Sequence, residues 1–410
     1  MADTVINTTC CIAGGGPAGM MLGLLLARAG VDVVVLEKHA DFLRDFRGDT
    51  IHPSTLEIMY ELGLLDEFLK LPHQEARTLK AQIGDTVVTI ADFTHLPTHA
   101  KFLAVMPQWD FLNFLAAEGA RYANFTLHMQ CSATGLITED GRVRGVTVTT
   151  PDGPVEIRAD LVVGADGRHS TIRAAADLQV ETLGAPMDVL WFRVSRRPGD
   201  AADTGGRFDA GRIFVMINRG EHWQCAYVIA KGSIETVQER GLPAFRADVA
   251  TLMPFVADRV DEIASWDDVK LLTVAVDRLT TWYRPGLLCI GDAAHAMSPI
   301  GGVGVNLAVQ DAVAAGNLLA APLREKRLVD ADLERVQTRR ILATRIVQGM
   351  QVLVQNRIVS PLLGRETKVT APLPVRLFQR FPVLRRIPAR LIGLGVRPEH
   401  VRAKALAVRR

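Results

Sequence analysis

Thr8-Thr9-Cys10-Cys11-Ile12-Ala13 runs into Gly14-Gly15-Gly16-Pro17-Ala18-Gly19, and the reading of this junction decides the fold. The first six residues are apolar or β-prone, as in a strand buried on both faces. Met20 to Ala29 reads as a helix, Gly30 closes it, and Val31-Asp32-Val33-Val34-Val35-Leu36-Glu37 reads as the next strand. Strand, helix and strand within about 30 residues make a βαβ unit. Glycines at 14, 16 and 19 let the chain turn tightly, admit a pyrophosphate against the backbone and let helix pack on strand. The helix start adds N–H groups and a positive dipole end for the phosphate. Glu37, at the end of the second strand, stands where a carboxylate accepts bonds from ribose hydroxyls. Pro17, Ala18 and Lys38 are counted with these residues as dinucleotide contacts. The unit predicts an α/β fold that binds a dinucleotide, and alone it does not separate NAD from FAD.

Two later segments narrow the choice. Ala159 to Gly164 reads as a strand ending in Ala165-Asp166-Gly167-Arg168-His169-Ser170, with Ser170 as N-cap of a short helix. Gly286 to Cys289 is another buried strand, and it ends in Ile290-Gly291-Asp292-Ala293-Ala294-His295. Pro299 and the turn Gly301-Gly302-Val303-Gly304 follow, leading into a helix read from Val305 through Asn306 to Ala321. Strand, carboxylate and glycine-rich helix start make a second place for a polar ring or phosphate, about 280 residues from the first. The far end of the same dinucleotide is held there, which points to FAD.

With Gly14–Gly19, Asp166–Arg173 and Gly291–Asp311 in this order, the chain resembles the single-component FAD-dependent aromatic hydroxylases. This is the family of p-hydroxybenzoate hydroxylase and the ubiquinone-biosynthesis hydroxylases, and the resemblance covers about the first 330 residues. It implies a FAD-binding, Rossmann-like domain of the glutathione-reductase type in residues 1–70, 105–184 and 281–332. An antiparallel β-sheet substrate domain is expected as two insertions, 71–104 and 185–280, with a helical C-terminal region in 333–410. By the same resemblance Gly14, Gly16, Gly19 and Glu37 hold the ADP half of non-covalent FAD, Arg47 approaches the pyrophosphate and Gln108 contacts the cofactor. Asp166 lies in a motif tied to both FAD and NAD(P)H. Asp292 meets the ribityl and pyrophosphate side, Gly304, Val305 and Asn306 lie beside the isoalloxazine ring, and Gly291 and Gly302 are further cofactor contacts. The Pro299 carbonyl faces the substrate pocket. The family pattern has two prolines where this chain has Ser298-Pro299, a departure at the pocket edge.

The implied reaction is a monooxygenation. NADH or NADPH reduces the flavin, O2 forms a flavin C4a-hydroperoxide, and one oxygen atom enters an aromatic or polyketide-like apolar substrate. A dry pocket then matters more than a strong catalytic acid, and no side chain is named as acid or base; His295 reads as structural. No second Gly-x-Gly-x-x-Gly serves the nicotinamide, in keeping with transient docking. The alternatives are another flavoenzyme of this fold, a halogenase or isoprenoid-chain reductase, or a non-catalytic FAD-containing small-molecule-binding protein. The halogenase Trp-x-Trp-x-Ile-Pro signature is missing, since Trp223 is followed by Gln224 and Cys225.

Composition sets wider bounds. A chain of 410 residues, 48% hydrophobic and 22% charged, is long enough for more than one domain and a sizeable core. Its net charge of +2 carries no message about partners, and no nucleic acid is expected. The five cysteines show no metal spacing and read as reduced structural residues of a cytoplasmic protein. Val189–Val194, Arg212–Ile217 and His222–Ile229 alternate as antiparallel strands would; Trp191, Arg193, Met216 and Tyr227 on them are pocket candidates, with ordinary sheet packing the favoured reading of each. A long helix is expected from Leu333 to Val359. From Arg376 onward nine Arg and one Lys face a single Glu399. That basic tail suits a peripheral contact with anionic lipid, or a helical cover with a homodimer contact.

Overall fold

The computed structural model describes residues 4–43, 50–200, 205–209, 211–363 and 373–402. Its first layer is an eight-stranded sheet built on β1 (Thr4–Ala13), β2 (Val33–Leu36), β3 (Phe125–His128), β4 (Gly153–Gly164) and β5 (Leu287–Cys289). These five run parallel in the order β5-β4-β1-β2-β3. Alternate side chains of β1 go to opposite layers. Cys10 and Ile12 join the core made with α1 (Pro17–Arg28) and α2 (Gly304–Arg324), while Cys11 and Ala13 face Val146, Val148 and Ile172. All five cysteines are free and buried. Among the described residues, the helical stretch Ile300–Arg324 has the length and composition of a membrane span, but 78% of its apolar window is buried inside the fold, where α2 serves as a core helix.

β4 begins six residues before the strand predicted at Ala159. Its first half pairs antiparallel with the strand Arg142–Thr150, and only its end pairs with β5. The polar alternation of Glu156 and Arg158 belongs to this half-exposed part, which has no apolar run to announce it. The predicted helix from Leu333 is α3 (Asp330–Val354), which starts earlier and passes through a π turn, Gln355–Val359, into Ser360–Leu363.

A seven-stranded sheet forms the second layer. Its order is Lys270–Leu272, Met187–Ser195, His222–Ala230, Arg212–Asn218, Gly205–Asp209, Thr78–Ile83 and Thr86–Asp92. Every pairing is antiparallel except that of Gly205–Asp209 with Thr78–Ile83, which is parallel and joins the two stretches of chain. One face packs on the helix Leu242–Leu252 and the turn Pro254–Glu262, with Phe192, Phe214, Trp223 and Phe245 in that core. Arg259 grips the Asp200 carboxylate with two bonds of 2.9 Å, and this holds the acid well below the usual carboxylate range.

Residues 386–402 run back across the first layer. His52 Nδ1–H donates to the Ile392 carbonyl at 2.8 Å, and a Cβ at Gly393 would lie 2.7 Å from Leu96 Cδ1. Burial pushes the His52 imidazole down to about 4, overriding the bond to Ile392 that favours the charged form. The unfolded chain takes up this proton near pH 6.5 and the folded chain only near 4. Stability from neutral His52 is therefore complete above pH 6.5 and is lost as pH falls toward 4, by at most about 3 kcal/mol. Unfolding midpoints measured from pH 7 to 4.5 should fall more steeply for the wild type than for His52→Asn. Equal slopes would remove His52 from the account.

Candidate active site

Two helix starts and two strand ends meet at the carboxyl edge of the parallel sheet. Gly14 has φ +113°, and a Cβ there would sit 2.3 Å from the Ala165 carbonyl oxygen. One at Gly19 would lie 2.0 Å from the Gly14 oxygen. Gly16 differs: it is the N-cap of α1 in ordinary extended backbone, and no atom lies within 4 Å of an added Cβ. Glu37 closes the turn, its Oε2 accepting from Gly15 N at 3.2 Å and its Oε1 from His39 N at 3.0 Å. Half-buried Pro17 and buried Ala18 open α1, and Lys38 is exposed beside Glu37. The open approach to Gly16, the start of α1 and the Glu37 carboxylate fit an ADP moiety.

The second half of the site rises from β5. Gly291, at φ +60°, lies between the two helices: a Cβ there would meet Ala18 Cβ at 3.1 Å and Ala308 Cβ at 3.2 Å. The turns of α1 and α2 thus flank one glycine. Asp292 is half-buried, with Arg168 Nη2 at 3.8 Å from its carboxylate. Gly301 and Gly302 have φ of +79° and +63°, and this loop of Pro299 to Val303 delivers Gly304 and Val305 to the start of α2. The Asn306 side chain turns inward. Its Oδ1 accepts from His52 N at 3.0 Å and Thr55 Oγ1 at 2.7 Å, so its backbone, at the head of α2, is what the cleft can use.

Asp166 is engaged within its own turn. It accepts from Ser170 Oγ and from Ile172 N at 3.1 Å, while Ser170 Oγ accepts from Arg173 N at 2.9 Å as the predicted cap. Arg173 donates to the Arg168 carbonyl at 2.6 Å and lies 3.6 Å from Asp277. Gln108 is the half-buried first residue of the helix Gln108–Gly119. In that first turn, burial raises the Asp110 carboxyl against the opposing pull of Arg219 from the second sheet. Arg47 lies outside the described residues.

Sequence reading missed the buried cluster beneath this edge. Asp311 accepts from Gly291 N at 3.1 Å, His295 Nε2 at 2.6 Å and Arg340 Nε at 2.8 Å. Burial alone would raise the Asp311 carboxyl, but His295 and Arg340 hold it below its ordinary range. Glu399 lies 3.5 Å from Arg340 and 2.7 Å from Arg339. A buried arginine inside a polar helix carries no signal of its own in the sequence.

Two of the pocket candidates pack in the core under the helix, the sheet-packing role favoured for them. Leu190 is opposite Tyr227, and Cys225 is opposite Met216. Tyr227 and Met216 therefore belong to the side covered by Leu242–Leu252, where burial raises the Tyr227 phenol to about 12. Both faces of these strands are apolar, so alternation alone gives no parity. Trp191 lies on the other face with Val189, Ile213, Val215, Ala226 and Val228, the face that packs against Ile300 of the glycine loop. Arg193 is an exposed residue of the same face.

A parallel sheet with two helix starts over its carboxyl edge, joined to a second sheet, has the architecture of a dinucleotide-binding protein. The chain belongs to the FAD-binding-domain family, whose model matches residues 7–349, and it is a FAD-dependent monooxygenase. It is 32% identical over 389 residues to the 6-methylpretetramide 4-monooxygenase of Streptomyces rimosus, covering 94% of this chain and 92% of that one. It is 30% identical over 320 residues to a rifampicin monooxygenase of Streptomyces venezuelae, covering 76% and 63% of the two. The crystal structure of p-nitrophenol 4-monooxygenase PnpA from Pseudomonas putida DLL-E4 has the same fold. It aligns with a TM-score of 0.77 at 19% identity over 99% of this chain and 100% of that one.

Proposed function

We propose that this enzyme hydroxylates a fused-ring, polyketide-like aromatic substrate, using NADH or NADPH and O2. The observation that carries the site assignment is Gly291 held between the first turns of α1 and α2 at the carboxyl edge of the sheet. Gly14, Gly16, Pro17, Ala18, Gly19, Glu37 and Lys38 take the ADP half, with Arg47, Gln108, Asp166 and Asp292 toward the middle. Gly302, Gly304, Val305 and the Asn306 backbone take the ring, and Pro299 borders the substrate. Bound FAD supplies hydride acceptance and oxygen activation. The chain supplies position and dryness. The start of α2 stabilises negative charge at the ring edge, and the face of Val189, Trp191, Ile213, Val215 and Ala226 keeps water from the cleft.

Similarity to a pretetramide monooxygenase supports the substrate class, as does the apolar character of that face. The division into a FAD-binding unit (1–70, 105–184, 281–332), a substrate-binding unit (71–104, 185–280) and a C-terminal cover (333–410) follows the two sheets. The fastening of Ile392 to His52 supports the cover. Asp292→Ala is expected to give colourless protein, since this half-buried carboxylate follows Gly291 directly at the end of β5. Yellow protein at normal flavin occupancy would refute that role. Flavin-reduction rates measured against a panel of phenols and fused-ring polyketides test the substrate class. Acceleration by single-ring phenols alone would overturn it.

A further inference from the structure

The end of α3 and the first residue of the π turn after it present three buried glutamines, Gln348, Gln351 and Gln355, at spacings of three and four along one face. Each donates to backbone or hydroxyl groups of the segment that becomes the glycine loop. Gln348 Nε2 donates to Asp277 O at 2.7 Å and Ala296 O at 3.1 Å. Gln351 acts like a peptide group: its Oε1 accepts from Ser298 N at 3.1 Å, and its Nε2 donates to Ser298 O at 2.9 Å and Ile300 O at 3.0 Å. The amide orientation is fixed, because the Ser298 N–H can only donate and the two carbonyls can only accept. Gln355 Nε2 donates to Ser298 Oγ at 2.8 Å, and that hydroxyl also accepts from Ile300 N at 3.3 Å.

This pattern accounts for Ser298. A proline there would have no N–H for Gln351 and no hydroxyl for Gln355. Serine and glutamines form a matched set that fixes residues 296–300 and leaves the turn at Gly301 and Gly302 to follow. The same stretch then changes function along its length. Beyond Gln355 comes the π turn, and Val354, Val359 and Leu362 pack on the sheet face of Val189, Ile213, Ala226 and Val228, with Ile300 beside them. Amides hold one wall of the cleft and apolar side chains hold the other.

We propose that Gln351 and Gln355 are positioning residues that set the Ser298–Gly302 loop against the second sheet, and with it the seat of the flavin ring. The proposal rests on the reading that the ring lies at this loop. Gln351→Glu tests it closely: the shape is kept, but the group can only accept, so a carboxylate faces two carbonyl oxygens. Gln355→Met removes one bond together with a buried Oε1 that has no partner. Gln337→Met is the control, since that amide binds Trp282 N and Thr280 O elsewhere on α3.

The readouts are the FAD dissociation constant, the visible circular dichroism of bound FAD and its midpoint potential. Gln351→Glu is expected to bind FAD about tenfold more weakly or worse, with a lower midpoint potential because a negative charge is added near the ring. Gln355→Met should alter the dichroism, and Gln337→Met should match the wild type in all three. Wild-type values in both Gln351→Glu and Gln355→Met would overturn the proposal. So would equal losses in Gln337→Met, which would mark a general effect of α3. If Gln351→Glu does not fold, Gln355→Met against Gln337→Met decides. Wild-type protein that takes up no FAD would fail the functional reading instead, before any variant is compared.

Discussion

Arg340→Met is expected to lower the unfolding free energy by about 3–5 kcal/mol, as removal of one partner from a buried ion pair does. Arg340 is fully buried, and its Nε reaches Asp311 at 2.8 Å. Methionine fills similar space but strands the Asp311 carboxylate, with only the His295 ring and the Gly291 N–H left to bond it, and removes a cation near Glu399. Adding Asp311→Asn to Arg340→Met should recover part of the loss, because the stranded charge goes with it. Denaturant unfolding of the two variants checks both statements. A midpoint for Arg340→Met equal to the wild type's would show that the cluster contributes nothing net. Since Asp311 is held below its ordinary range, the contribution is present at neutral pH and is lost as pH falls through the folded value.

Gly16→Val should abolish flavin binding while leaving the fold intact. Its backbone, at φ −76° and ψ −177°, is open to any residue, and an added Cβ meets nothing within 4 Å. The empty approach is the one proposed for the pyrophosphate, so branched atoms there should weaken FAD by about 100-fold or more, some 3 kcal/mol. Stability of the flavin-free protein should change by no more than about 0.5 kcal/mol. Gly14→Val is the contrast, because it forces φ +113° and a 2.3 Å approach to Ala165 O and should cost the fold itself. Absorbance at the flavin band and thermal unfolding separate the two effects. Yellow Gly16→Val protein at full occupancy would place the phosphates elsewhere.

Much of the first layer was legible because its physics is local. Gly14, Gly16 and Gly19 carry their turn in their own spacing, and Ser170 caps the helix that begins one residue later. The second sheet was legible as strands but not as faces. With Leu190 and Val189 both apolar, nothing local tells which of them meets the helix Leu242–Leu252 and which meets Ile300, so Tyr227 and Met216 could be given no face. The start of β4 was missed for the opposite reason, since a half-exposed strand paired to a hairpin looks like loop. Least legible were Gln351, Gln355 and Arg340. On a helix these residues read as a solvated face, and the partners that bury them lie 53, 57 and 29 residues away.

That separation bears on how the protein is made. β1 leaves the ribosome well before its sheet partners β4, which begins at Gly153, and β5, which begins at Leu287. Asp311 then waits 29 residues for Arg340, and Arg340 another 59 for Glu399. Domains commonly fold in the order in which they emerge, but here the earliest element depends on the latest. The helix Gln108–Gly119 covers α1 early, but the side of α1 that packs on α2 stays uncovered until Gly304–Arg324 has emerged. The two glycine segments of the cofactor site, Gly14–Gly19 and Gly291–Asp292, coexist only once translation has passed Asp292.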